Sequence, residues 1–164
     1  AVTVTTRKRR KGEVHGVDYI FVSDAEFDRM IAADELLEWA VVHGSRYGVP
    51  RNQVREAIRR GEDILLRVDV QGAATIRAKV PGAVLIFLAP PSVEALIARL
   101  RARGTESAEE LATRITNAHE EMKRLPEFDY VVVNPEGRLD EAVDKVKAIV
   151  VAERCRVKRR RVVV

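Results

Sequence analysis

Six consecutive residues, Ala83-Val84-Leu85-Ile86-Phe87-Leu88, include no polar side chain. A run of this kind reads as a strand buried on both faces, which is the environment of a parallel sheet covered by helices. The rest of the chain fits that frame. Val2–Thr5, Asp18–Val22, Leu36–Val42, Ile64–Val68 (broken by Arg67) and Asp129–Val133 have strand patterns. Between them, Ser23 with Glu26 makes a capping box for a helix over about 24–33. A second helix over about 51–60 ends before Gly61, and a third, "VQGAATIRAK", follows Asp69 and stops near Pro81. Ser92 can cap a helix over about 93–102, Ser107 and Glu110 open one reaching about 124, and a last helix covers about 139–156. Tyr47-Gly48-Val49-Pro50 reads as turn chemistry. Strand and helix alternate, so the expected class is α/β with a largely parallel central sheet.

At 164 residues one domain is expected. No segment approaches the ~18 apolar residues of a membrane span, and the start lacks a signal-like hydrophobic stretch. With a lone cysteine, Cys155, this points to a cytoplasmic home. The net charge of +4 hides two basic places: residues 7–11 hold five cations and residues 154–161 hold six, with no acid in either window. Setting those eleven aside leaves 18 cations against 25 acids, a body of net charge −7. Such local basicity does not suit a protein that coats DNA, and nucleic acid is not expected as a partner.

The first basic place, "TTRKRRKGE", could be a nucleic-acid patch, a sorting signal, a solvated loop or a clamp for one small anion. A second cluster, "RLRARGTES", puts Arg99 and Arg103 four apart on one helix end, with Arg114 on the next helix. Arginine's planar fork binds phosphate oxygens bidentately, so two such clusters suit phosphoryl chemistry, although a solvated helical face is the plainer reading of the second stretch alone. Glu38, inside the apolar "LLEWA", needs a partner if buried. Asp69, at the carboxyl end of an expected strand, lies where open α/β sheets bind ligands.

"TTRKRRKGEVHGVDYIFVS", "LLEWAVVHGSRYG", "VDVQGA", "IFLAPPS", "RLRARGTES" and "YVVVN" resemble guanylate kinase, in the family's order and spacing, from about Thr3 to Glu153. The resemblance implies a P-loop NTPase-like three-layer fold with a GMP-binding lobe over about 5–60. The core would span about 61–98 and 125–157, with a helical lid over about 99–120 and a basic tail over 154–164. It implies phosphoryl transfer from ATP to GMP with Mg2+, the lobes closing over both substrates. By matched position Arg7, Arg10, Tyr19 and Tyr47 hold the phosphate of GMP, and Glu13 lies in the same lobe. Glu38 accepts from guanine N1–H and the exocyclic amine, and Asp69 lies near guanine and the phosphate site. Arg99, Arg103 and Arg114 are lid arginines that close on ATP and neutralise the migrating group, and Asn134 lies near the adenine. No side chain is assigned to a metal.

The chain departs from the family in four respects. No G-x-x-x-x-G-K-[ST] loop occurs, since none of the nine glycines is followed by lysine. The expectation is therefore a missing N-terminal segment and, for the chain as it stands, no competent kinase. Val49 replaces a hydroxyl residue after "YG". Arg67 stands where an acid is frequent two places before Asp69, and could supply another phosphate contact. Arg9 and Lys11 make the loop more cationic. The alternative function is a non-catalytic guanylate-kinase-like module that recognises a protein or phosphopeptide. His15, His43 and His119 share no metal-ligand spacing, Cys155 reads as structural and Trp39 as core packing, the basic tail reads as a frayed end, and Val162–Val164 could pack as a strand.

Overall fold

The computed structural model describes residues 1–42, 44–102 and 108–164. The chain divides into two compact units, one of Ala1–Ala83 with Arg161–Val164 and one of Val84–Arg160.

The first unit is built on a four-stranded mixed sheet. In chain order its strands are β1 (Val4–Thr5), β2 (Ile20–Phe21), β3 (Leu36–Val42) and β4 (Ser45–Pro50), arranged β2-β1-β4-β3. β1 and β2 run parallel, while β4 is antiparallel to both β1 and β3. Gly44, at φ 73°, takes the left-handed backbone that turns the chain between β3 and β4. Helix α1 (Asp24–Ala32) starts as its capping box requires, with Ser23 Oγ accepting the Glu26 N–H at 3.1 Å. Phe27 of α1 is fully buried with Val4 and Leu36, and Ile20, Val22, Met30 and Ile31 pack around them. Helix α2 (Arg51–Arg60) ends on Gly61 in the left-handed conformation. Helix α3 (Val70–Lys79) buries Gly72, Ala73 and Ile76.

Five expectations change in this unit. Tyr47–Pro50 forms the body of β4 and not a turn. A Cβ on Gly48 would lie 2.9 Å from Leu36 Cδ1 and 3.2 Å from Phe27 Cζ, so the glycine admits close packing inside the strand. Ile64–Val68 forms no ladder among the described residues. A ladder needs a neighbour's amides at repeat spacing, and the partner here is the Ala1 ammonium, which donates to Leu65 O at 2.8 Å. Trp39 is 44% exposed, because β3 alternates outward after Glu38; its ring meets Phe27 edge-on at 6.3 Å. Val162–Val164 forms no strand, and the tail is not frayed: Arg55 Nε donates to Val164 O at 3.3 Å.

The second unit holds β5 (Ile86–Ala89) and β6 (Tyr130–Val133) as a parallel pair, with α4 (Val93–Ala102), α5 (Ala108–Lys123) and α6 (Leu139–Arg154). Ser92 Oγ accepts the Ala95 N–H at 3.2 Å, the cap expected for α4. Phe87 and Ala89 of β5 are buried but Leu88 is 57% exposed, so burial on both faces does not hold along this strand. Successive side chains of a strand point to opposite faces, so among the described residues the Phe87 and Ala89 face is covered and the Leu88 face is open. Val132 is buried in β6, and Tyr130 Oη donates to Glu153 Oε1 of α6 at 2.7 Å. Arg160 bridges Glu153 and Asp129, tying the basic segment down. Among the described residues, no helix is long and apolar enough to cross a membrane.

Candidate functional site

The basic loop is fixed at its root by the two threonines before it. Thr5 is fully buried; its hydroxyl donates to Arg46 O at 2.8 Å and accepts the Arg7 N–H at 3.1 Å. Thr6 Oγ1 accepts the Arg46 N–H at 3.1 Å, so the loop leaves β1 already clamped to β4. Glu13 then organises the arginines. One oxygen accepts Arg7 Nη2 at 2.6 Å and the other accepts the Arg10 N–H at 2.7 Å. The Arg7 hydrogen bond, and next the Arg10 backbone, hold the Glu13 carboxyl below the usual carboxylate range, and Glu13 in turn raises Arg7.

Arg7 faces aromatic rings, its guanidinium carbon 5.2 Å from the Tyr19 centroid and 5.8 Å from Phe21. Tyr19 and Tyr47 meet edge-on at 6.1 Å. Tyr19 and Tyr47 line a cleft of about 260 Å³ that also receives Glu38, Asp69, Val49 and Arg67. The structure thus brings Tyr19, Glu38, Tyr47 and Asp69 to one cleft, with Arg7 over the Tyr19 ring and Glu13 paired to Arg7. Arg10 is exposed, and its guanidinium is not among the lining groups.

Glu38 is placed by an irregularity. The β3–β4 register shifts between Leu36 and Glu38, a bulge that re-aims the following side chains. Glu38 is only 4% exposed, yet none of the described residues donates a hydrogen bond to its carboxylate. Burial first, then the nearby Asp69 charge, push its pKa up to about 7, with Lys79 opposing. Lys79 itself donates to Leu37 O at 2.8 Å, tying α3 to β3. A buried carboxylate that faces a cleft and lacks donors is costly unless a ligand supplies them.

Asp69 has a role that sequence reasoning missed. Its carboxylate caps α3, accepting the Gly72 N–H at 2.8 Å. Asp immediately before a helical run was the available signal. Gly72 was also missed: a Cβ there would stand 2.8 Å from Glu38 Oε1 and 3.0 Å from Val68 Cβ. Only the dipeptide Gln71-Gly72 inside a helix hinted at such a close approach.

In the second unit Arg99 donates to Glu136 Oε2 and to Asn134 O, both at 2.8 Å, so two predicted nucleotide contacts are neighbours. Arg114 lies on α5, half-buried. Arg103, like Ser107 and His43, lies outside the described residues. No group of three or more His, Cys, Asp or Glu that could hold a metal ion occurs among the described residues.

A family model described as guanylate kinase matches residues 1–153. Guanylate kinase of Caldanaerobacter subterraneus subsp. tengcongensis is 45% identical over 159 residues, covering 97% of this chain and 76% of the relative. That of Halalkalibacterium halodurans is 49% identical over 156 residues, covering 95% and 76%. The crystal structure of guanylate kinase from Anaplasma phagocytophilum superposes with a TM-score of 0.79 at 36% identity, over 95% of this chain and 76% of that one. The α/β, P-loop NTPase-like fold and the motif order agree with these likenesses, and the chain belongs to the guanylate kinase family.

Proposed function

We propose that the cleft binds GMP and that the protein transfers the γ-phosphoryl group of ATP to it, giving ADP and GDP. The observation that carries this is Glu38, a buried carboxylate without a donor among the described residues, in a cleft lined by Tyr19 and Tyr47, with the Arg7 guanidinium over the Tyr19 ring. Guanine N1–H and its exocyclic amine supply two donors to one carboxylate. Adenine has no donor at N1 and would leave the charge unpaired, a mismatch that discriminates by roughly a thousandfold or more. Tyr19, Tyr47, Arg7 and Arg10 hold the phosphate in this reading, and Glu13 positions both arginines. Asp69 caps α3 and borders the base.

A phosphate oxygen of GMP attacks the γ-phosphorus of ATP, the bond to the bridging β–γ oxygen breaks, and ADP leaves. Arg99, Arg103 and Arg114 are assigned to neutralising the transferred group, and Asn134 to the adenine side. Such catalysis is mostly positioning and charge stabilisation. Kinases acting on ATP generally need a metal ion; we assign Mg2+ to the ATP phosphates and no side chain of this chain to it. The lobe over about 5–60, the lid over about 99–120 and a cytoplasmic setting belong to the same proposal. The alternative binding module is not favoured, because a peptide site has no need of a base-reading carboxylate. A coupled assay of the complete protein with ATP and GMP, with AMP as control, tests the proposal: GMP-dependent ADP release is expected, and its absence would overturn the kinase reading.

A further inference from the structure

We infer that Arg67 is a further phosphate-binding residue of the cleft, and that it makes the cleft select a nucleoside monophosphate over the free nucleoside. This rests on the GMP reading and deepens it.

Arg67 lies between α2 and α3, two residues before Asp69, and both line the cleft. Its Nη2 donates to the Tyr19 hydroxyl, and its guanidinium carbon stands 5.2 Å from the Tyr19 centroid. The Arg7 guanidinium stands 5.2 Å from the same centroid. One phenol therefore has two guanidinium groups beside it. They differ in how their charge is met. Arg7 is ion-paired to Glu13 at 2.6 Å, whereas no described carboxylate forms an ion pair with Arg67.

The Tyr19 oxygen accepts from Arg67, which leaves its proton to be donated to an entering anion. The group that fits an uncompensated planar cation beside a phenolic donor is a phosphate monoester, whose oxygens the guanidinium fork can take in pairs. The carboxylates in the same cleft, Glu38 and Asp69, repel an anion and favour a donor-bearing base. The two sets of groups thus orient a ligand that is anionic at one end only. A purely structural Arg67 would do no more than hold the Tyr19 ring.

Titration calorimetry of the wild type, Arg67→Gln, Arg67→Lys, Tyr19→Phe and the Arg67→Gln/Tyr19→Phe pair, with GMP, guanosine and AMP, separates these. Arg67→Gln is expected to weaken GMP roughly 10- to 100-fold and leave guanosine unchanged. Arg67→Lys should fall between, and the loss should persist in the Tyr19→Phe background. Equal losses for GMP and guanosine, no loss, or a loss that vanishes with Tyr19→Phe would each overturn the inference. Thermal melting identifies any unfolded variant, and Arg67→Lys then still decides: it must lower GMP affinity more than guanosine affinity. Wild-type protein that binds GMP no better than AMP would sink the GMP reading and this inference together. A GMP-selective protein indifferent to Arg67→Gln would sink the inference alone.

Discussion

Gly72→Ala should separate base recognition from folding. The new Cβ would stand 2.8 Å from Glu38 Oε1, 2.9 Å from Glu38 Cδ and 3.0 Å from Val68 Cβ. Gly72 has no positive φ, so the α3 backbone accepts alanine. Helix propensity alone favours the change by about 1 kcal/mol. Overpacking opposes it by about 1–3 kcal/mol, relieved partly because the crowded atoms are the end of a flexible side chain. The net is a destabilisation of about 0–2 kcal/mol, a fall in Tm of at most about 8 °C for a chain of this size. The carboxylate, however, has to leave the position from which it would pair with guanine. Losing charge-assisted bonds worth about 2–4 kcal/mol weakens GMP roughly 30- to 1,000-fold. AMP, which offers no N1 donor, should be almost unaffected. Calorimetric titration with both nucleotides, alongside thermal melting, reads this directly. A folded Gly72→Ala protein with the wild-type ratio of GMP to AMP affinity would refute the placement of guanine on Glu38.

The Glu38 carboxyl, raised to about 7, gives a pH signature. Its folded form holds a proton more tightly than the unfolded chain, so its contribution to stability is full below about 4.5 and is lost as pH rises through about 7. Glu38→Gln should therefore be relatively more stable above pH 7. GMP needs the ionised form, so affinity should fall as pH drops from 8 to 6, by at most about tenfold per unit, with proton release on binding. In Glu38→Gln that slope should vanish; a slope that survives means another group titrates. Glu13→Gln removes the charge and one of the two acceptor oxygens that hold Arg7 and the Arg10 N–H, and should raise the GMP dissociation constant while sparing guanosine. An equal loss for both ligands would point to general damage of the lobe. Gly82→Ala would place a Cβ 2.2 Å from the Arg161 carbonyl oxygen, backbone that cannot swing aside. It should expose residues 161–164 to limited proteolysis; a cleavage pattern unchanged from wild type would mean that the tail is not docked there.

Local capping and helical period were legible because they depend on neighbours in sequence. Ser23 and Ser92 cap the helices they were expected to cap, and α2 and α3 keep their expected bounds. What failed was decided by partners far along the chain. Gly48 and Pro50 look like turn residues until Phe27 and Leu36 are set against Gly48, when the glycine becomes the condition for close packing. The wholly apolar run from Ala83 to Leu88 predicted a strand, but how many of its faces are covered depends on what packs onto the sheet from elsewhere in the chain, and Leu88 is open. In the site, the residue types and spacing of Arg7, Tyr19, Glu38 and Tyr47 could be read. The bulge that buries Glu38 and the glycine that makes room for its carboxylate could not, since both are properties of a pairing. Arg67 was visible as a departure, and only its contact with Tyr19 gives that departure a use.

The most direct test of guanine recognition by Glu38 is a crystal structure of the protein with GMP. Both Glu38 carboxylate oxygens are expected at about 2.7–3.0 Å from guanine N1 and the exocyclic amine, with the phosphate against Arg7, Tyr19 and Tyr47. Guanine bound elsewhere, or a Glu38 carboxylate still without donors in the occupied cleft, would contradict the assignment.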